Sequence, residues 1–581
     1  MHNTSPCHNT SHTLAATALL ASALLAGCAA PGSPSAPSGP ITLGANPAAA
    51  CAALAAPVPA SAIGTNTGIP SGAASIDSAT WVAASALAVA PGGPTPAARI
   101  TPAMPAFCKL LGRIAPLDPK APPIMFQINL PAQWNGRSLQ YGGGGFNGVL
   151  ISGLGLPPAA RFDTASPLAQ GFITAGTDSG HQGVPGQPPQ TFALNDEALL
   201  NFAHASYKKV RDVTVALAQR AYGRAPDKLY FMGSSEGGRE GLTMAQRYPA
   251  AFDGIFSRVP VIHWTGLQHA GTRNSLATMD GGWLRPAQVK LVHDAVLATC
   301  DAADGLVDGV VSDAVGCKQR FDVTRLRCAA GSAATTDTCL SETQVRAVLT
   351  LHAPWRSPVP LAHGVGDYPG WGVSGEGTPA IGPTGGWSAW WLGSAPPAVP
   401  PVQANGIAWV YGSGALQYFY ARDPAYDLRR YRAEDFAARV LEISNLMDST
   451  NPDLSAFHAR GGKLLMLENM ADYAQSPYAG IQYHAAVVAR LGRDTTDSFM
   501  RLYTAPGVDH VGSGAPGNVD MLPALVDWVE HGRAPQGLKL AEQSLVPPFA
   551  NTRARPLCVW PQWPRYRSGD AASATSFECV N

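Results

Sequence analysis

The chain has 581 residues, enough for several domains or for one α/β domain carrying a large insertion. Forty basic and forty acidic residues cancel to a net charge of zero, which argues against a nucleic-acid binder and against a polybasic membrane-surface protein. With 46% apolar and only 14% charged residues it is not a disordered chain, and 61 Gly with 51 Pro imply many turns and long loops rather than a helical bundle.

Residues 13–27, TLAATALLASALLAG, form an apolar run shorter than the roughly 20 residues that span a bilayer. Cys28 follows directly, and the Leu25–Cys28 sequence LAGC looks like a bacterial lipobox. The run predicts an export signal over 1–27, with Cys28 lipidated after cleavage; cleavage nearby without lipidation is the alternative. The preceding MHNTSPCHNTSH carries histidines but no Lys or Arg, which is atypical of such a signal. Residues 28–50, rich in Pro, Ser, Gly and Ala, predict a flexible tether. The protein is thus expected outside the cytoplasm, as a periplasmic or outer-membrane-anchored lipoprotein or in secreted form, touching the membrane only through its N-terminal anchor. Beyond Cys7 and Cys28 there remain eight cysteines, none in a CxxC pattern, as in structural disulfides of an oxidising compartment. Proximity along the chain suggests Cys51–Cys108, Cys300–Cys317, Cys328–Cys339 and Cys558–Cys579.

From about residue 122 the sequence becomes strand-like. IMFQINL (124–130), RSLQYGG (137–143) and FITAGTD (172–178) read as strands. Residues 195–222 carry helical periodicity through Leu199, Phe202, Val210, Val213, Leu217 and Ala221. The strand LYFMG (229–233) turns into SSEGGREGLTMAQRYP, a helix ended by Pro249, and FDGIFSR (252–258) is again a strand. Strands alternating with helices predict a parallel, doubly wound sheet. Residues 262–448 break the pattern with four cysteines, an acidic loop and Pro/Gly/Trp-rich stretches; it returns at KLLMLEN (463–469), FMRLYTAPG (499–507) and the helix MLPALVDWVEHG (521–532). One α/β domain, 51–261 and 449–581, is therefore expected to be split by an insertion over 262–448.

Gly233-Ser234-Ser235-Glu236-Gly237 matches G-x-S-x-G between a strand and a helix, the context in which small residues let a strained turn lift a serine hydroxyl out of the backbone. Glu236 N–H, at the helix start, can face a developing oxyanion. A serine needs a base, and in an α/β-hydrolase the order is Ser, acid, His. Asp472, after KLLMLEN, fits the acid and His510, after FMRLYTAPG, the base. Asp509 neighbours His510 but would point elsewhere, His484 falls in a helix, and Asp178 and His181 precede the nucleophile and would shape the site. The glycine run in Tyr141–Gly148 can bring a second N–H to the substrate oxygen.

In Cys300–Val310, CDAADGLVDGV, three carboxylates and two intervening carbonyls can wrap a hard cation, although the spacing is not that of an EF-hand. This predicts a structural Ca²⁺ within the insertion; a solvated acidic turn is the other reading.

PAQWNGR (131–137), GSSEGGREG (233–241), CDAADGLVDGVVS (300–312), GWSAWWLGS (386–394), GGKLLMLENMAD (461–472) and PGVDH (506–510) together resemble the tannase/feruloyl esterase family, most closely its MHETase-like bacterial branch. The resemblance runs from about Cys51 to Cys579. It implies an α/β-hydrolase fold with a lid domain inserted before the catalytic acid, calcium in that lid, no organic cofactor, and esterase activity on aromatic acids. It puts the catalytic triad on Ser235, Asp472 and His510, the oxyanion donors on Gly145 and Glu236, and the calcium ligands on Asp301, Asp304, Leu306, Asp308 and Val310. The lid tryptophan against the aromatic acyl group falls on Trp390; a plain core tryptophan is the alternative.

Two departures stand out. The family pairs a cysteine before the nucleophile with one after the histidine, where this chain has Ser234 and Val511. The lid arginine that reads a free substrate carboxylate has no counterpart in APPAVPPVQANGIAW (395–409), which contains no Arg or Lys. The expectation is an exported serine esterase of uncharged feruloyl, galloyl or terephthaloyl-type esters. Its rivals are a hydrolase of mono(2-hydroxyethyl) terephthalate proper and a non-catalytic lipoprotein that binds aromatic compounds.

Overall fold

A computed structural model describes residues 41–64, 68–92, 96–329, 337–378 and 386–581. The expected signal, Cys28 and most of the tether lie outside them. The rest of the tether departs from its composition. Residues 41–42 pair with 133–134, and Pro47–Ala52 is a short helix whose N-terminus is capped by the Asn46 side chain. Cys51 in that helix is bonded to Cys108, so tertiary anchoring overrides a composition that reads as linker.

A nine-stranded sheet forms the centre. Its strands are β1 (Ala74–Val82), β2 (Phe107–Ile114), β3 (Ile124–Pro131), β4 (Arg137–Tyr141), β5 (Ile173–Thr177), β6 (Lys228–Ser234), β7 (Gly254–Arg258), β8 (Lys463–Asn469) and β9 (Met500–Ala505). The spatial order is β9-β8-β7-β6-β4-β5-β3-β2-β1. From β9 to β5 every pair is parallel; β5–β3, β3–β2 and β2–β1 are antiparallel. The sheet is therefore mixed, the arrangement of an α/β-hydrolase, and not wholly parallel as the alternation predicted. The difference begins at β3, which runs antiparallel to β5, and continues through β2 and β1. β1 is half exposed at the sheet edge and lacks the apolar run of a buried strand.

The central parallel strands are buried along nearly their whole length, as expected where helices cover both faces. Three helices pack on them: α1 (Ser206–Tyr222), α2 (Glu236–Arg247) and α3 (Met521–His531). Leu139, Met232, Phe256, Leu465 and Tyr503 on one face meet Leu522, Leu525 and Trp528 of α3. Phe231, Ile255, Leu464 and Met466 on the other meet Leu242 and Met244 of α2.

Between β7 and β8 the chain makes a long excursion. It contains well-formed helices where the sequence showed little periodicity, among them Trp264–Ala277, Pro286–Cys300, Glu342–His352, Ile407–Gly414 and Ala437–Met447. Trp264–Ala277 is buried on most sides, so it has no polar stripe to reveal its period. All four disulfides join the expected partners: Cys51–Cys108, Cys300–Cys317, Cys328–Cys339 and Cys558–Cys579.

Candidate active site

The site forms where β6 runs into α2. Ser235, between them, has φ 61° and ψ −121°, a conformation that costs an L-residue energy and is held only by its surroundings. Two glycines permit it. A Cβ on Gly233 would sit 2.1 Å from the Gly237 carbonyl oxygen, and one on Gly237 2.7 Å from the Gly143 oxygen. Ser235 N–H donates to the carbonyl of Arg258 on β7 at 3.0 Å, pinning the turn to the sheet.

The loops after β8 and β9 deliver the other two residues. His510 Nε2 lies 3.0 Å from Ser235 Oγ, and His510 Nδ1 lies 2.7 Å from Asp472 Oδ2. The second Asp472 oxygen accepts from the N–H groups of Ala474 (2.7 Å) and Gln475 (3.0 Å), so the carboxylate is oriented by its own loop. Asp509 does not bond the His510 ring. Its Oδ1 accepts from the N–H groups of Val511, Gly512 and Ser513 and shapes the turn that carries His510. His484 is buried in the helix Pro477–Leu491. His181 Nε2 sits 2.9 Å from the Phe146 carbonyl and its ring stacks on Phe192; the Asp178 carboxylate accepts from the N–H groups of Met125 and Gly180. Both shape the site's surroundings rather than reach Ser235.

Gly145, Glu236, Trp390, Ser235 and His510 line one small cavity of about 40 Å³. Gly145 has φ 59°, and a Cβ there would lie 2.9 Å from the Tyr411 hydroxyl, so only glycine fits. Glu236 opens α2, where the first N–H groups have no partner within the helix. The Trp390 ring, partly buried, stands 6.2 Å from His510 and edge-on to Tyr411. Phe146, Val261, Trp264 and Leu267 complete an apolar wall, and among the described residues no Lys or Arg lines it. A second, larger and more open cavity of about 400 Å³ shares Ser235 and His510 and is lined by Tyr141–Gly144, residues 156–160, Arg258 and Val511.

Sequence reasoning missed the wall residues Trp264 and Tyr411, which lie far from any motif, and two charged groups that left a signal. Arg258 is a cation closing an apolar strand beside the nucleophile. Glu240 follows Glu236 by one helical turn. Glu236 is buried against Arg239, itself fully buried and bonded also to the carbonyls of Ala203 and Met447. Glu240 instead holds the glycine loop. Its Oε2 accepts from Gly143 N–H at 3.0 Å and its Oε1 from Asn147 Nδ2 at 2.7 Å, while Asn147 Oδ1 accepts from Gly144 N–H at 2.6 Å. The loop that carries Gly145 is thereby clamped to the helix that carries Ser235.

The expected calcium residues form a compact loop. Asp301 accepts from Asp308 and Gly309 N–H, Asp304 from Leu306 N–H, and Asp308 from Val310 N–H. Asp308 also pairs with Arg555. Among the described residues no group of three His, Cys, Asp or Glu side chains is gathered as a metal site, so a cation there would need the carbonyls of Leu306 and Val310 as well as carboxylates.

Burial, with the charge of Glu236 nearby, pushes the Glu240 carboxyl from the usual 4.5 up to about 7. The folded state therefore holds a proton there that the unfolded chain has released. Stability from this group is full below about pH 4.5, falls as pH rises toward 7, and is flat above it. Glu240→Gln, which imitates the protonated form, should gain on the wild type across that window in denaturant unfolding. A difference between the two proteins that does not vary with pH would overturn the assignment.

The family model for tannase and feruloyl esterase matches residues 108–580. The chain is 36% identical to an uncharacterized esterase of Agrobacterium fabrum over 555 residues, covering 92% of this chain and 94% of that one. It is 35% identical to the mono(2-hydroxyethyl) terephthalate hydrolase of Piscinibacter sakaiensis over 540 residues, covering 84% and 86%. Among solved structures, feruloyl esterase B from Aspergillus oryzae superposes with a TM-score of 0.69 at 25% identity, covering 87% of this chain and 97% of that one. The match over most of the chain, the sheet order and the strand–serine–helix turn agree: this chain belongs to the tannase and feruloyl esterase family and is a carboxylic ester hydrolase.

Proposed function

We propose that the chain is an exported serine esterase that cleaves esters of aromatic carboxylic acids through an acyl-enzyme. The observation that carries this reading is the unbroken chain of contacts Asp472–His510–Ser235, 2.7 and 3.0 Å long, at the mouth of an aromatic-walled cavity. His510 takes the Ser235 proton as Oγ attacks the ester carbonyl, and Asp472 holds the imidazole and stabilises its charged form. The N–H groups of Gly145 and Glu236 receive the oxyanion. His510 returns the proton to the leaving alcohol, and then activates water against the acyl-enzyme.

The aromatic acyl group enters the apolar cavity against Trp390. The excursion between β7 and β8, which supplies Trp264, Trp390 and Tyr411, acts as a lid. No cation faces that cavity among the described residues, which favours an acyl half without a free carboxylate. The mono-acid ester named for the Piscinibacter relative is therefore a poorer substrate than neutral feruloyl, galloyl or terephthaloyl esters. Export rests on the apolar segment 13–27 and on the four disulfides, with Cys28 as the lipid anchor.

A structural Ca²⁺ in the loop 301–310 is proposed on electrostatic grounds. Asp304 is buried beside the like charges of Asp301 and Asp308, and burial first, then those charges, raise its carboxyl above the usual range. A divalent ion would relieve that repulsion.

Two measurements test these readings. Ser235→Ala should lose labelling by a serine-directed fluorophosphonate and all turnover of methyl ferulate and bis(2-hydroxyethyl) terephthalate; labelling that survives refutes Ser235 as nucleophile. Metal analysis of the dialysed protein should find about one calcium per chain, and chelator should lower the melting temperature. Absence of both effects removes the ion.

A further inference from the structure

Resting on the esterase reading, we propose that Arg258 forms an anion subsite for the leaving-alcohol half of the substrate, so that the enzyme prefers esters whose alcohol bears a carboxylate. Arg258 ends β7 and is 5% exposed. Among the described residues its guanidinium makes one hydrogen bond, from Nη1 to Ser234 Oγ at 3.0 Å. Its Nε is buried without a partner, and no carboxylate lies within ion-pair distance among the described residues. Its Nη2 faces the histidine loop, where a Cβ on Gly512 would stand 3.1 Å away.

The nearby acids are engaged or turned aside. Asp472 is spent on His510 and two N–H groups. Asp509 gives one oxygen to three N–H groups, and its other oxygen is unbonded yet beyond pairing distance. Glu468 bonds Gln475 and, by burial beside Asp472, stays protonated well above the usual range. A guanidinium has five donors in a fixed fork matched to a carboxylate, and leaving most of them unanswered when buried is costly. The large cavity beside Ser235 is where a partner can enter, since Arg258 lines it together with Ser235 and His510.

The geometry of ester cleavage chooses the half. With the carbonyl oxygen at Gly145 and Glu236, the two remaining substituents of the reacting carbon take the two cavities. The apolar one, closed by Trp390 and Tyr411, suits an aromatic ring. The larger and more open one suits the alcohol, which must be protonated by His510 and leave. The ligand class is thus an aromatic acid esterified to a hydroxycarboxylic acid.

The test compares two feruloyl esters that differ only in charge: the ester of a hydroxycarboxylic acid, and the same compound with that carboxylate methylated. The wild type should favour the acid in kcat/KM. In Arg258→Gln the ratio of acid to methylated ester should fall by about tenfold or more, chiefly through KM, and Arg258→Lys should retain part of it. A ratio that does not change would overturn the subsite, whatever both rates do, and would leave Arg258 a support for the two loops. Should the variants fail to fold, inhibition of the wild type decides: the free hydroxycarboxylate should inhibit neutral-ester cleavage at least about tenfold more strongly than its methyl ester, and equal inhibition overturns the proposal. Failure of the esterase reading looks different, because then neither ester is cleaved.

Discussion

Ser235 occupies a backbone conformation that its own side chain disfavours, and the rest of the site is arranged around that fact. β6 and α2 come so close at Gly233 and Gly237 that no Cβ fits between them, and the same closeness brings the glycine loop after β4 against the helix start. The turn thus sets three things at once. It projects the hydroxyl, it leaves the first N–H of α2 unpaired, and it fixes how near the second N–H donor can come. Tight packing at glycine is what makes a strained serine affordable, since relaxation would have to push whole elements apart.

Around this turn the buried charges act as fasteners more than as reagents. Arg239 joins the nucleophile helix to the carbonyls of Ala203 and Met447, one before the nucleophile and one at the end of the excursion. Glu240 ties that helix to the glycine loop through Gly143 and Asn147. Asp509 closes the histidine turn. Each has hydrogen bonds to backbone or amide groups of another segment or turn, so that three loops from distant parts of the chain keep a common register with no covalent link between Ser234 and Val511. A hydrogen bond from Arg258 to Ser234 occupies that corner.

What could be read in the sequence was what depends on local pattern. The buried strands β3 to β9 are short apolar runs between turns, and the nucleophile, acid and base each follow one of them, so their places were legible from order alone. The strands β1 and β2 were not: β1 lies half exposed at the sheet edge without an apolar run, and Lys109, Gly112 and Arg113 interrupt the apolar residues of β2. In the excursion, the helix Trp264–Ala277 escaped for the opposite reason, being buried on most sides. Tyr411 and Trp264 could not be assigned to the site because contact across some 120 to 260 residues leaves no local trace. The segment 41–50 reads as linker because small residues and proline describe composition, while the Asn46 cap and the bond from Cys51 to Cys108 decide conformation.

The walls of the two cavities come from different stretches of chain. The apolar one takes about half of its lining, including Trp264, Trp390 and Tyr411, from the excursion between β7 and β8, whereas the larger one is built from the sheet's own loops and strand ends. The two halves of an ester are therefore read by separable pieces of protein. Grafting another excursion onto this sheet would exchange the acid it accepts while the alcohol preference stayed behind. Tyr411 limits that freedom: by resting over Gly145 it makes any replacement excursion answer for the oxyanion loop as well as for the ring it encloses.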